Sequence, residues 1–123
     1  MKNFKLNEKD ILSNQDWTFP TTTYYGPGRF NEIAKFCEEF DIKNPLIVTD
    51  SGSKDLPFIK KLITLLSKNN IKSELFYNIS PNPRDDEISK GCDQFKNGSH
   101  DSIIAIGGGS AMDGGKSICL TVN

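Results

Sequence analysis

Between Gly107 and Ser117 the chain reads GGGSAMDGGKS, a stretch whose residue types suit contact with phosphate. Its last three residues, Gly115-Lys116-Ser117, have the form of the end of a P-loop. The full pattern, Gly-x-x-x-x-Gly-Lys-[Ser/Thr], needs a glycine where this chain has Ser110, and starting from Gly109 leaves one residue too many. Asp113 also places a carboxylate in the middle of what would be the phosphate cradle. The dinucleotide fingerprint Gly-x-Gly-x-x-Gly fails as well. Gly107 and Gly109 fit its first two positions, but the third falls on Met112 and no acidic residue stands about 20 positions downstream. An acidic residue does end a strand-like run at Asp50, upstream of the glycines.

What remains is a strand, three glycines and a helix start. Glycines here leave no side chain between the backbone and a ligand, and the amides of a helix N-terminus attract anions. The same residues also read as a helix cap, because Ser110 and Asp113 have the spacing of a capping box. Both readings stand together at this point: an N-cap, an anion site, or one serving as the other.

The elements that must position these residues follow from hydrophobic period. Trp17 and Phe19 alternate with polar neighbours and Thr21 to Tyr25 is rich in β-formers, so an N-terminal β-hairpin is expected, with Pro20 keeping it at an edge. Gly26-Pro27-Gly28 breaks it. Phe30, Ile33, Ala34, Cys37 and Phe40 then recur at helical spacing. Pro45–Thr49 is a continuously apolar strand, and a second helix carries Ile59, Leu62, Ile63 and Leu66 inward with Lys60, Lys61 and Lys68 outside.

Ser73–Tyr77 is a further strand, and Asp85-Asp86-Glu87 suits the start of a third helix bearing Ile88, Cys92 and Phe95. A buried strand over Ser102–Ile106 leads through the glycines into a fourth helix from Ser110 to Val122. Apolar strands alternating with amphipathic helices predict an α/β fold, a Rossmann-like parallel sheet with flanking helices. Residues 1–16 read as a loose arm. With three central strands and the last helix reaching the chain end, the sheet is expected to be incomplete.

Composition narrows the partners. Over 123 residues, 36% hydrophobic and 25% charged, the net charge is −1, which supplies no electrostatic reason for nucleic acid or an anionic membrane. No apolar run approaches the roughly 20 residues of a membrane span, and the N-terminus lacks the apolar stretch of a signal peptide, so a cytoplasmic location is expected. Cys37, Cys92 and Cys119 are expected to be buried reduced thiols. His100 is the single histidine, too few for a zinc or His-rich iron site from this chain's own residues.

Three motifs in order then carry a resemblance: Val48-Thr49-Asp50, Pro81-Asn82-Pro83, and the strand Ile103–Ile106 followed by Gly107 to Lys116. Together with Phe19-Pro20 and Tyr25-Gly26-Pro27-Gly28, they resemble the iron-dependent (group III) alcohol dehydrogenases from about Trp17 onward. The glycine motif alone does not separate that family from glycerol dehydrogenase and dehydroquinate synthase. The resemblance implies a partial NAD-binding α/β domain over residues 17–123. A C-terminal helical domain holding iron or another divalent metal has no counterpart in this chain.

It also implies roles. The family places an acid matching Asp50 near the adenosine ribose, where a carboxylate accepts a hydrogen bond from a 2′-hydroxyl and repels a 2′-phosphate. Asn82 matches a residue beside the adenosine, and Gly108, Gly109 and Ser110 match those that hold the pyrophosphate. Ala111 and Met112 fall in the same cofactor-binding stretch, and Asp113 matches a residue near the nicotinamide half. The family's metal ligands, an aspartate and three histidines, have no counterpart here. The expectation is thus the N-terminal portion of an oxidoreductase acting on a small alcohol or aldehyde with NAD, inactive alone, as a truncated, split or partial product. A homodimer is open. Three alternatives are retained: a non-catalytic nucleotide-binding or interaction module, one subunit of a split enzyme, and a relative of glycerol dehydrogenase or dehydroquinate synthase.

Overall fold

The structure, a computed structural model, describes residues 22–123. The arm over residues 1–16 and most of the expected hairpin lie outside the described residues, and residues 22–25 belong to no strand. A 3-10 turn over Arg29–Glu32 enters α1 (Ile33–Glu39). Then follow β1 (Pro45–Val48), α2 (Pro57–Lys68), β2 (Glu74–Phe76), α3 (Asp85–Asn97), β3 (Ser102–Ala105) and α4 (Gly109–Val122). This is the expected alternation. The three strands are parallel in the order β2-β1-β3, with Val48 opposite both Phe76 and Ala105.

Helices cover both faces, and the strand period of two sorts the core. Leu46 and Val48 point to the side where Phe76, Ile79, Cys92 and Ile118 pack, beneath α3 and α4. Ile47 points the other way, onto Cys37, Leu62 and Leu66 from α1 and α2. All of β1 is buried, as a central parallel strand must be. β3, expected to be buried, is only partly so, because it is the outer strand and no described strand pairs with its far side. No helix among the described residues is long and apolar enough to cross a membrane.

The three helix-to-strand connections share one construction. Asp41, Asn70 and Ser99 each take a left-handed backbone (φ 56°, 61° and 53°) just past a helix end. The next residue then donates its N–H five positions back: Ile42 to Cys37, Ile71 to Leu66, His100 to Phe95. These are Schellman closures, formed without the glycine that usually marks them. Each turns the chain sharply and folds the following side chain inward.

That geometry explains two departures from the expected faces. Phe40 is 66% exposed, because the helix ends before it and Ile42 takes the inward place. Ile63 is 38% exposed, since it stands about 100° around α2 from Leu62 and off the buried stripe. Cys37 and Cys92 are buried free thiols as expected, and burial pushes the Cys37 thiol up. Cys119 is free but exposed, a correction: it faces solvent one position beyond the inward Ile118.

The edge of the sheet where the strands begin is held by Asp101. Its carboxylate accepts the backbone N–H of Lys43 (2.7 Å) and of Asn44 (3.1 Å), and the Ser102 hydroxyl. Partial burial pushes this carboxyl up, but those donors outweigh it and hold it below the usual range. Stabilisation from Asp101 is therefore present above its unfolded pKa of about 4 and is lost as pH falls through the lower folded value. Replacing it, as Asp101→Ala, is expected to cost about 1 kcal/mol at neutral pH. Thermal unfolding of the two proteins should show the gap narrowing as pH drops below about 4.

Candidate dinucleotide site

Parallel strands bring all their carboxyl ends to one edge. In an order of the 2-1-3 kind, the strand after the reversal joins the first strand's other side, and a crevice opens between β1 and β3. The Thr49-Asp50 pair leaves β1 there, and Ile106 to Gly109 leaves β3 on the opposite lip. Thr49 is wholly buried, and its hydroxyl donates to the Ile106 carbonyl at 2.7 Å. This bond, with Ile106 N–H to Val48 O at 3.0 Å, fastens the two lips together.

The turn itself needs glycine first at Gly107, whose φ is +139°. A Cβ there would lie 3.0 Å from the Ala111 Cβ and 3.2 Å from both Thr49 Oγ1 and Asp50 Oδ2. Gly108 and Gly109 differ: a Cβ on either meets nothing within 4 Å, so both backbones face open space. Gly108 is extended and serves as N-cap, and α4 starts at Gly109.

The expected capping box is therefore not formed. Ser110 lies inside the first turn, and no side chain caps α4. The helix begins one residue earlier than its pattern suggested, because the extended Gly108 already starts it. The first backbone bond into the turn is Met112 N–H to Gly108 O at 3.1 Å. Among the described residues the N–H groups of Gly109, Ser110 and Ala111 have no acceptor, as at any uncapped helix start. The amides of exposed Gly109 and half-buried Ser110, with the positive end of the helix dipole, thus border the space that Gly108 and Gly109 leave open.

Asp50 stands across from this turn, its Oδ2 3.2 Å from where a Cβ on Gly107 would lie. Its carboxylate also accepts the Ser53 hydroxyl at 3.1 Å, and the Ser53 N–H bonds to the Asp50 carbonyl at 3.0 Å. Asn82 is exposed on the loop after β2, where its carbonyl accepts the Ser80 hydroxyl at 2.9 Å. That loop reaches the site through Ser51, whose N–H donates to Ile79 O at 3.0 Å. Its far end is closed by Glu87, whose carboxylate accepts the Ser80 N–H at 3.3 Å and the Arg84 N–H at 3.0 Å. The Arg84 N–H, with Ser80, holds the Glu87 carboxyl below its usual range.

The remaining residues of the run are placed unequally. Ala111 is wholly buried. Met112 is 41% exposed and Asp113 exposed, one turn into the helix. Gly114 and Gly115 face inward: a Cβ at Gly114 would lie 2.9 Å from Ile79, and one at Gly115 2.7 Å from the Ala105 Cβ. With Lys116 exposed and Ser117 in mid-helix, Gly-Lys-Ser forms no phosphate loop. Sequence reasoning missed the parts of Thr49, Ser51 and Ser53, whose partners are remote or hidden in a turn.

His100 lies at the opposite edge, before β3. Its Nδ1 is 3.0 Å from Asn44 O and its Nε2 3.3 Å from Glu74 Oε1. The imidazole beside Glu74, with the Gln94 amide, holds that carboxyl below its usual range. Among the described residues no three His, Cys, Asp or Glu side chains gather closely enough to hold a metal ion.

The profile of the iron-containing alcohol dehydrogenases matches residues 20–123, a span that includes every described residue. The chain belongs to that family. Alcohol dehydrogenase 4 of Schizosaccharomyces pombe is 36% identical over 101 residues, covering 82% of this chain and 24% of that protein. The 1,3-propanediol dehydrogenase of Citrobacter freundii is 30% identical over 105 residues, covering 84% and 27%. Among solved structures, sulfoacetaldehyde reductase from Bifidobacterium kashiwanohense in complex with NAD+ superposes with a TM-score of 0.76 at 31% identity, covering 85% of this chain and 28% of that one. This member of the family thus spans about a quarter of the length of the relatives it matches.

Proposed function

We propose that this chain is the dinucleotide-binding part of an NAD-dependent alcohol dehydrogenase, and that its cofactor lies across the β1/β3 crevice. The pyrophosphate rests on the N–H groups of Gly109 and Ser110, over the open backbone of Gly108 and Gly109. Asp50 faces the adenosine ribose and accepts from its 2′-hydroxyl, with Asn82 bordering the adenosine. Met112 and Asp113 lie towards the nicotinamide half. The observation that carries this reading is the open, unbonded amide turn set against a carboxylate at the switch point of the sheet.

When bound, such a cofactor supplies the hydride acceptor or donor at its nicotinamide. The chain's own residues bind and orient it. No group of side chains among the described residues fits a metal centre, and the family resemblance implies a helical second domain for the iron. The 17–123 segment is part of the nucleotide-binding domain of that protein, with a small alcohol or aldehyde as substrate in a cytoplasmic setting.

Cofactor choice tests the reading. Calorimetry on the natural full-length protein is expected to show NADH bound more tightly than NADPH. Asp50→Ser should narrow that ratio by roughly tenfold, the size of one charge-assisted hydrogen bond. An unaltered ratio removes Asp50 from the ribose.

A further inference from the structure

We infer that Ser53 is a positioning residue for cofactor choice, its hydroxyl holding the Asp50 carboxylate in the orientation that discriminates a ribose 2′-hydroxyl from a 2′-phosphate. The inference rests on the cofactor reading above and goes beyond it in naming what aims the carboxylate. A strand-end aspartate on an exposed turn has free side-chain torsions, and an unheld carboxylate can swing away from an incoming phosphate. In this chain it is held.

The Asp50 Oδ2 atom accepts the Ser53 hydroxyl at 3.1 Å and lies 3.2 Å from where a Gly107 Cβ would stand. That oxygen is thus fixed at the inner lip, against the glycine turn. Oδ1 lies on the other side, 3.4 Å from the Cβ position of Gly52, and receives no hydrogen bond among the described residues. A carboxylate has about four lone-pair sites, so Oδ1 retains the capacity to accept a ribose hydroxyl.

Ser53 is itself immobilised by its backbone. Its N–H bonds to Asp50 O at 3.0 Å, and its carbonyl accepts the Leu56 N–H at 3.0 Å on the way into α2. The hydroxyl therefore acts from a fixed base. Orienting the carboxylate in advance removes a torsional cost from binding the right cofactor, and keeps the charge in place against the wrong one.

The backbone bonds survive Ser53→Ala, so that variant is expected to fold while freeing the carboxylate. Titrating the natural full-length protein with NADH and with NADPH should show their affinity ratio falling roughly three- to tenfold, the value of one immobilised side chain. Ser53→Thr, which restores a hydroxyl, should restore the ratio. In an Asp50→Ser background, Ser53→Ala should change the ratio no further, since there is nothing left to aim. An unchanged ratio in Ser53→Ala, or an equal fall in the Asp50→Ser background, overturns the positioning role and leaves the cofactor reading standing. A wild-type protein that binds neither dinucleotide overturns the cofactor reading itself.

Discussion

Gly109→Asp is expected to abolish dinucleotide binding while leaving the fold intact. The new side chain would enter space in which nothing lies within 4 Å of its Cβ, so no protein atom resists it. An aspartate in the first helical turn also complements the dipole, which favours folding of α4. A pyrophosphate held by the neighbouring amides would meet that carboxylate directly. Two unit charges about 4 Å apart at an effective dielectric of about 20 repel by about 4 kcal/mol. Affinity for NADH should therefore fall by more than about a hundredfold in calorimetry, with the melting temperature of the free protein held or raised. Retained affinity would exclude the glycine turn from the site. Gly109→Ala separates charge from bulk, and a milder loss is expected from it.

The second large effect concerns the glycines that look most like a P-loop. In an open helix, Gly→Ala stabilises by up to about 1 kcal/mol. At Gly115 the sign should reverse. The added Cβ would stand 2.7 Å from the Cβ of Ala105, and both atoms are bonded to backbone, so neither can rotate away. Helix α4 must then lift from β3, at a cost of about 1–3 kcal/mol for such overpacking. In a domain of this size each kcal/mol lowers the melting temperature by about 4–8 °C. Adding Ala105→Gly removes the opposing atom and should recover much of the loss, an outcome that a role in phosphate contact would not produce. Stability unchanged by Gly115→Ala would mean that α4 does not sit this close to the strand.

These two glycines divide a run that reads as one motif. Hydrophobic period alone separates helix from strand along the described chain, because period is a local property and each strand and helix buries one stripe. The three motifs that carry the family resemblance are likewise local strings. Local pattern misleads where a helix starts or stops. Ser110 and Asp113 have capping-box spacing, yet an extended Gly108 begins α4 before them. Phe40 continues the stripe of α1, yet Asp41 turns left-handed and ends the helix.

The sequence by itself determined the alternation of parallel strands and helices, the family, and the run of glycines between a strand and a helix. Each depends on neighbours within a few positions, which is the range over which period and turn chemistry act. Only the tertiary structure decided which glycines face open space and which face Ala105 and Ile79, since the room for a Cβ depends on what other elements pack there. It likewise decided that Thr49 fastens Ile106, 57 residues away, and that the Asp50 carboxylate, bonded locally to Ser53, lies against the Gly107 turn. A hydroxyl in a sequence has no visible partner. The order β2-β1-β3 chooses one by setting the ends of β1 and β3 side by side.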